Sequence, residues 1–147
     1  MAKAIRSLQI RHVDAGSCNG CEQELTALTG RDYDIQRHGI DIVASPRHAD
    51  SLIVTGPVTD TMALPLERVW ETIPRPRVRI AFGNCAIGTG VFQRAYASHG
   101  GLADSDIEIP GCPPHPETAL RLLSEWMTSH QRNRQTYVSK VTNLGNC

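Results

Sequence analysis

The chain is predicted to fold as an α/β domain built on a mainly parallel sheet. Short apolar runs of strand length alternate with stretches of helical period, the runs end in glycine-bearing turns, and no internal repeat breaks the alternation. At 147 residues the chain fits one domain that can bury a core without disulfide staples.

The first strand is expected in SLQIRHV, residues 7–13, which alternates in part and stops at the turn-forming Asp14-Ala15-Gly16-Ser17. A short helix follows from Asn19 to about Leu28, with acids in its opening turn, Leu25 and Leu28 on one side, and Gly30 as a stop. GIDIVAS supplies a second strand and SLIVTG, residues 51–56, a third. Thr59 reads as an N-cap for a helix over Asp60 to Ile73. Met62, Leu66, Val69, Trp70 and Ile73 recur there at helical spacing, and Pro65 lies near enough to the start to be tolerated. RVRIAFG gives a fourth strand ending at Gly83-Asn84-Cys85, and DIEIPG a fifth ending at Gly111-Cys112. A last amphipathic helix is expected from about Glu117 to His130, with Leu120, Leu123 and Met127 on one side. The domain is therefore drawn at residues 1–130, and residues 131–147 are left as a polar C-terminal tail without a firm period.

Charge excludes some partners. Fifteen Lys and Arg balance fifteen Asp and Glu, so nothing draws the chain to nucleic acid or to an anionic membrane surface. The first sixteen residues lack the apolar core of about seven residues that a secretory signal needs, and no stretch approaches the ~18 apolar residues of a membrane span. Membrane association is expected only through a partner. Five cysteines in such a chain point to a reducing compartment, where thiols serve more often as metal ligands or redox centres than as disulfides.

Their placement is the main functional signal. Parallel sheets bind ligands beyond the carboxyl ends of their strands, and three cysteine-bearing turns fall there. Cys18 and Cys21 follow the first strand, Cys85 the fourth and Cys112 the fifth. The Cys-x2-Cys pair lets two sulfurs converge on one centre, and positions remote in sequence can share one sheet edge. Gly16, Gly20, Gly83 and Gly111 flank the thiols, and the absence of a Cβ allows backbone N–H groups to approach sulfide. These features favour one iron–sulfur cluster on Cys18, Cys21, Cys85 and Cys112. Structural zinc is the strongest alternative, because thiolate sets suit both metals, although zinc sites commonly use two close pairs. A thioredoxin-like reading of the pair leaves Cys85 and Cys112 without a role, and Cys147 reads as a spare thiol.

At CNGCEQE, GPVTDTM, GNCAIGTG and PGCPPHPE the chain resembles the small, cluster-binding subunit shared by nickel-iron hydrogenases and the respiratory NADH:quinone oxidoreductase. The resemblance runs from about residue 7 to residue 127. The two residues between Cys18 and Cys21 resemble the hydrogenase form, because the quinone enzyme typically has adjacent cysteines there. GPVTDTM and GCPPHPE are similar to both the quinone enzyme and the membrane-bound, energy-converting hydrogenases, including carbon-monoxide-linked and formate-linked types. The resemblance implies a flavodoxin-like, doubly wound domain. Its cysteines at 18, 21, 85 and 112 would bind the 4Fe-4S cluster nearest a nickel-iron centre held by a large subunit. It further implies a ferredoxin-like iron–sulfur subunit that takes the electrons onward, membrane subunits, and a peripheral position on the cytoplasmic side of the cell membrane. On this reading the chain belongs to a hydrogenase complex and is not catalytic alone.

Three other residues carry expectations. Glu22 favours the dipole of its helix, and the resemblance places the glutamate beside the second cysteine at the large-subunit interface, where it would couple protons to electrons. Arg47 and His48 in SPRHAD read as loop residues, which the resemblance places near the cluster; a guanidinium there favours a reduced cluster and an imidazole can titrate with it. His115 reads as a cap or surface residue, and His12, His38, His99 and His130 have no metal spacing. The glycine-rich turn after the fourth strand lacks a full phosphate-binding fingerprint.

Overall fold

The computed structural model describes residues 7–143, with side chains to residue 130. The reading of residues 1–6 and the assignment of Cys147 lie outside the described residues.

Parallel strands need crossovers, and the crossovers here are largely helical. In order the elements are β1 (Leu8–Asp14), α1 (Gly20–Leu28), β2 (Ile40–Ile42), β3 (Ser51–Thr55), α2 (Asp60–Thr72), β4 (Val78–Phe82), α3 (Asn84–Ile87), β5 (Ile107–Ile109) and α4 (Pro116–Asn143). All pairings are parallel, and the sheet order is β2-β1-β3-β4-β5. That is the flavodoxin-like order, in which the chain reverses direction across the sheet between β1 and β3.

Alternation on the central strands divides the core between two faces. Leu8, Ile10, Ile53, Ile80, Phe82, Ile107 and Ile109 pack with Leu25 and Leu28 of α1 and with Leu123 and Met127 of α4. Val13, Leu52 and Val54 point the other way, against Leu66 of α2 and Ile73 just beyond it. β3 is buried at every position from Ser51 to Thr55, as a central parallel strand must be. On this strand Thr55 shares the face of Ile53, toward α1. Among the described residues no helix is long and apolar enough to cross a membrane.

Two local features depart from the expected elements, whereas Pro65 is tolerated inside α2 as expected. α4 continues to Asn143 rather than stopping at His130; no proline or glycine interrupts the sequence until Gly145, so loss of the apolar stripe does not end the helix. Pro65 lies at the sixth position of α2, where it forgoes one backbone hydrogen bond without ending the helix. The segments around Ile35–His38 and Pro46–His48 form 3₁₀ turns. His115 acts as a cap: its carbonyl accepts the Ala119 N–H at 3.1 Å and its Nδ1 the Glu117 N–H at 3.3 Å.

Candidate metal centre at the carboxyl edge of the sheet

The turn after β1 is organised by Asp14. Its Oδ1 accepts the N–H groups of Gly16 at 2.9 Å and Ser17 at 2.8 Å, a side-chain-to-backbone turn of the kind aspartate favours. Ser17 Oγ in turn accepts the Asn19 N–H at 3.1 Å. Asn19 enters α1 with φ of 72°, a left-handed conformation that asparagine tolerates. This delivers Cys18 exposed on the turn and Cys21 half-buried in the first turn of α1.

The turns after β4 and β5 are tied to each other by Asn84. Its backbone N–H donates to the Gly111 carbonyl at 2.9 Å, and its Oδ1 accepts the Gly111 N–H at 2.8 Å. Cys85 on α3 and exposed Cys112 are thereby held by one bracket. The following loop comes back over the Cys85 thiol at Gly90, and the Phe92 amide in that loop favours its ionised form.

Close approach explains Gly83. A Cβ there would stand 2.6 Å from Cys21 Sγ, and the residue adopts φ 93°, ψ 159°, a region essentially reserved for glycine. The same contact shows that the α1 cysteine lies against the end of β4, remote from it in sequence. A Cβ at Gly90 would likewise meet Cys85 Sγ at 2.6 Å.

The other thiols act on the two half-buried ones, Cys21 and Cys85. Burial and then the charges of Glu22, Cys85, Cys18 and Cys112 push the Cys21 thiol up to about 12. Cys85 is raised by burial, offset by the Phe92 amide, with further contributions from Cys112 and Cys18. Four thiolates on one edge oppose each other's ionisation, so a positively charged core is what would allow them to coexist. The donor set therefore fits a thiolate-bound metal group. Among the described residues, no three His, Cys, Asp or Glu side chains stand close enough to hold a single metal ion.

Glu22 is anchored beside this edge. Ser17 Oγ donates to its Oε2 at 2.5 Å and Thr55 Oγ1 donates to its Oε1. His12 Nε2 lies 3.0 Å from Thr55 Oγ1 and 3.7 Å from Glu22 Oε1. Burial lowers the His12 pKa below 6.5; Glu22 and Asp14 pull it back up and Arg11 lowers it further. Sequence reading missed His12, Thr55, Ser17 and Asn84. Their partners are far away along the chain, and no spacing motif marks them.

Arg47 and His48 are exposed on the 3₁₀ turn between β2 and β3. That turn packs against α2 and leads to Ser51 at the amino end of β3, whereas the thiols stand beyond the carboxyl ends. Two open clefts of about 730 and 760 Å³ lie around Trp70, Arg77 and Arg79, at the opposite end of β4 from Cys85. Two of their arginines are already engaged, Arg77 by the end of α2 and Arg79 by Glu67.

An α/β domain with flavodoxin-like strand order and four thiols along the carboxyl edge of its sheet is the class defined by these features. The family model described as NADH ubiquinone oxidoreductase, 20 Kd subunit, matches residues 18–126, a span that includes all four thiols. The chain belongs to that family, which takes its name from a subunit of an oxidoreductase. It is 42% identical over 123 residues to formate hydrogenlyase subunit 7 of Escherichia coli (strain K12), covering 82% of this chain and 48% of that protein. It is 43% identical over 118 residues to a probable membrane-bound hydrogenase subunit, mbhJ, of Pyrococcus furiosus, covering 78% and 71% respectively. The chain thus spans about half the length of the Escherichia coli relative. A solved structure of the membrane-bound sulfane sulfur reductase, an archaeal respiratory membrane complex, superimposes with a TM-score of 0.75 at 30% identity. That match covers 86% of this chain and 72% of the other.

Proposed function

We propose that the chain is the electron-transfer subunit of a membrane-associated nickel-iron hydrogenase. On this reading Cys18, Cys21, Cys85 and Cys112 hold one 4Fe-4S cluster that relays electrons between a nickel-iron site on a large subunit and ferredoxin-like subunits. The observation that carries it is the placement of the thiols: they come from three separate turns beyond the carboxyl ends of β1, β4 and β5, and Cys21 Sγ lies against Gly83 at the end of β4, so closely that a Cβ there would stand 2.6 Å away. An iron–sulfur cluster would supply one-electron storage at that edge. The hydrogenase names of the two relatives favour this assignment. The family's own name supports a second reading, the corresponding subunit of a quinone-reducing complex.

The chain's own residues do the holding and tuning. The Phe92 amide favours ionisation of one sulfur, and the glycines at 83 and 90 give two sulfurs room. Cys18 and Cys112 are exposed, as are Val91 and Tyr96 in the loop that wraps Cys85. This supports a partner seated over the thiol edge, for which the large subunit is the candidate, with membrane subunits beyond it at the cytoplasmic face. Arg47 and His48, although exposed, lead into the amino end of β3, away from the thiols, and no electrostatic role at a cluster is assigned to them. Glu22, next to Cys21, is assigned to proton coupling. Replacing Glu22 by Gln is expected to lower turnover of the complex and flatten its pH profile; an unchanged profile would remove Glu22 from that role.

Metal analysis of the intact complex tests the assignment. Nickel together with many irons is expected. Iron without nickel would favour the quinone-reducing reading, and zinc with no visible absorption would replace both with a zinc-stabilised interaction module. Single Cys→Ser variants at 18, 21, 85 and 112 should each alter the electron paramagnetic resonance signal, while Cys147→Ser should leave it unchanged.

A further inference from the structure

The hydrogen bonds around Glu22 have a direction that can be counted. A threonine hydroxyl carries one proton, and Thr55 donates it to Glu22 Oε1. The oxygen of Thr55 must then accept from His12 Nε2, 3.0 Å away. His12 therefore carries its proton on Nε2, and the chain runs from the imidazole through the hydroxyl to the carboxylate. The other carboxylate oxygen accepts from Ser17 at 2.5 Å. Both oxygens of Glu22 are held from behind, by groups on the β1–α1 turn and on β3.

Solvent does not compete strongly for this network, since the side chains of His12 and Glu22 are 25% and 16% exposed. The sheet builds it: β1 and β3 pair in parallel with His12 opposite Ile53 and Asp14 opposite Thr55, so period-two alternation puts His12 and Thr55 on the same face toward α1. The charged groups that act on His12 are Glu22 from α1, Asp14 from the same face of its own strand, and Arg11 from the other face. Burial keeps the imidazole neutral near pH 7, which suits a ring with a single N–H. Glu22 adjoins Cys21, and its charge reaches that sulfur.

We propose that His12 is a positioning residue that, through Thr55, fixes the Glu22 carboxylate in one orientation beside the cysteine pair and so sets the electrostatic field at the thiol edge. The electrostatic half rests on the cluster reading above. An anion pinned and partly shielded from water disfavours the more negative, reduced cluster. Releasing it to solvent screens its charge and raises the reduction potential.

The first measurement uses the full chain without metal. Long-range proton–nitrogen NMR of histidine-labelled protein at pH 7.5 should show His12 as the Nε2–H tautomer, and the Nδ1–H tautomer would overturn the positioning. The second uses the chain reconstituted with iron and sulfide, titrated by potential under electron paramagnetic resonance. Thr55→Val and His12→Phe should each move the potential in the positive direction, in the same sense as Glu22→Gln, while Thr55→Ser should leave it in place. Added to Glu22→Gln, His12→Phe should cause no further shift. A full additional shift would mean that His12 acts independently of Glu22 and would overturn the proposal. If the unaltered chain takes up no iron, the functional reading and the electrostatic half fall together; the tautomer still decides the positioning half alone.

Discussion

Asn84 does more for the thiol edge than its neighbours in sequence suggest. Its side-chain carbonyl accepts the Gly111 N–H, and its own N–H donates back to the Gly111 carbonyl. Two turns separated by α3 and the loop beyond it are thus closed against each other, with Cys85 on one and Cys112 on the other. Truncating Asn84 to Ala leaves a half-buried amide without its acceptor, at a cost of about 1–3 kcal/mol. Asn84→Asp retains an acceptor oxygen and should lose less stability, while adding an anion beside sulfurs that already oppose one another's charge. Urea unfolding of the metal-free chain should rank parent above Asp above Ala. Iron uptake should be weakened by both changes, through loop geometry in Ala and through charge in Asp.

At the scale of elements, α2 shows how a strand and a helix are locked end to end. Arg77, just before β4, donates from Nη1 to the carbonyls of Trp70, which also accepts the Ile73 N–H at 3.2 Å, and of Ile73, at the end where a helix runs short of backbone donors. Its guanidinium also lies 4.2 Å from the centre of the Trp70 ring, and that of Arg79 4.3 Å. Arg77→Ala removes a charged cap and a cation–π contact together, for a loss of about 1–3 kcal/mol. The thermal midpoint and the Trp70 fluorescence should both report it, and Arg77→Lys should recover only part, since an ammonium lacks the planar fork. The elements themselves were legible beforehand, because apolar runs such as SLIVT and VRIAF and the stripe of α2 announce their period directly. The Cys-x2-Cys pair and the strand-end cysteines were legible for the same reason, as they are local or positional signals. Among the features that were not readable, besides the network around Glu22, are α3, a single turn too short to show a period; the continuation of α4 beyond its apolar stripe; and the Asn84 bracket. The last depends on which turns the sheet order brings side by side, and composition carries no record of that.

For the whole molecule, the buried network at His12 links local geometry to stability through pH. The folded chain holds this imidazole below its ordinary value of 6.5, chiefly by burial, with Arg11 adding to the effect and Glu22 and Asp14 opposing it. The unfolded chain takes up a proton near 6.5, and the folded chain takes it up only at lower pH. Between those two values the unfolded state binds more protons, so stability rises with pH across the window and is lost as pH falls through it. The metal-free chain should therefore show a falling urea midpoint from pH 7.5 to pH 5.5. His12→Gln has no proton to gain in that window and can still donate from its amide. Its midpoint should be flatter with pH, even if lower at pH 7.5 because the imidazole's packing is lost. Equal slopes for the two proteins would show that His12 is free to titrate at its ordinary value. A steeper fall in the variant would mean that Glu22 and Asp14 outweigh burial, and that the folded state favours the imidazolium.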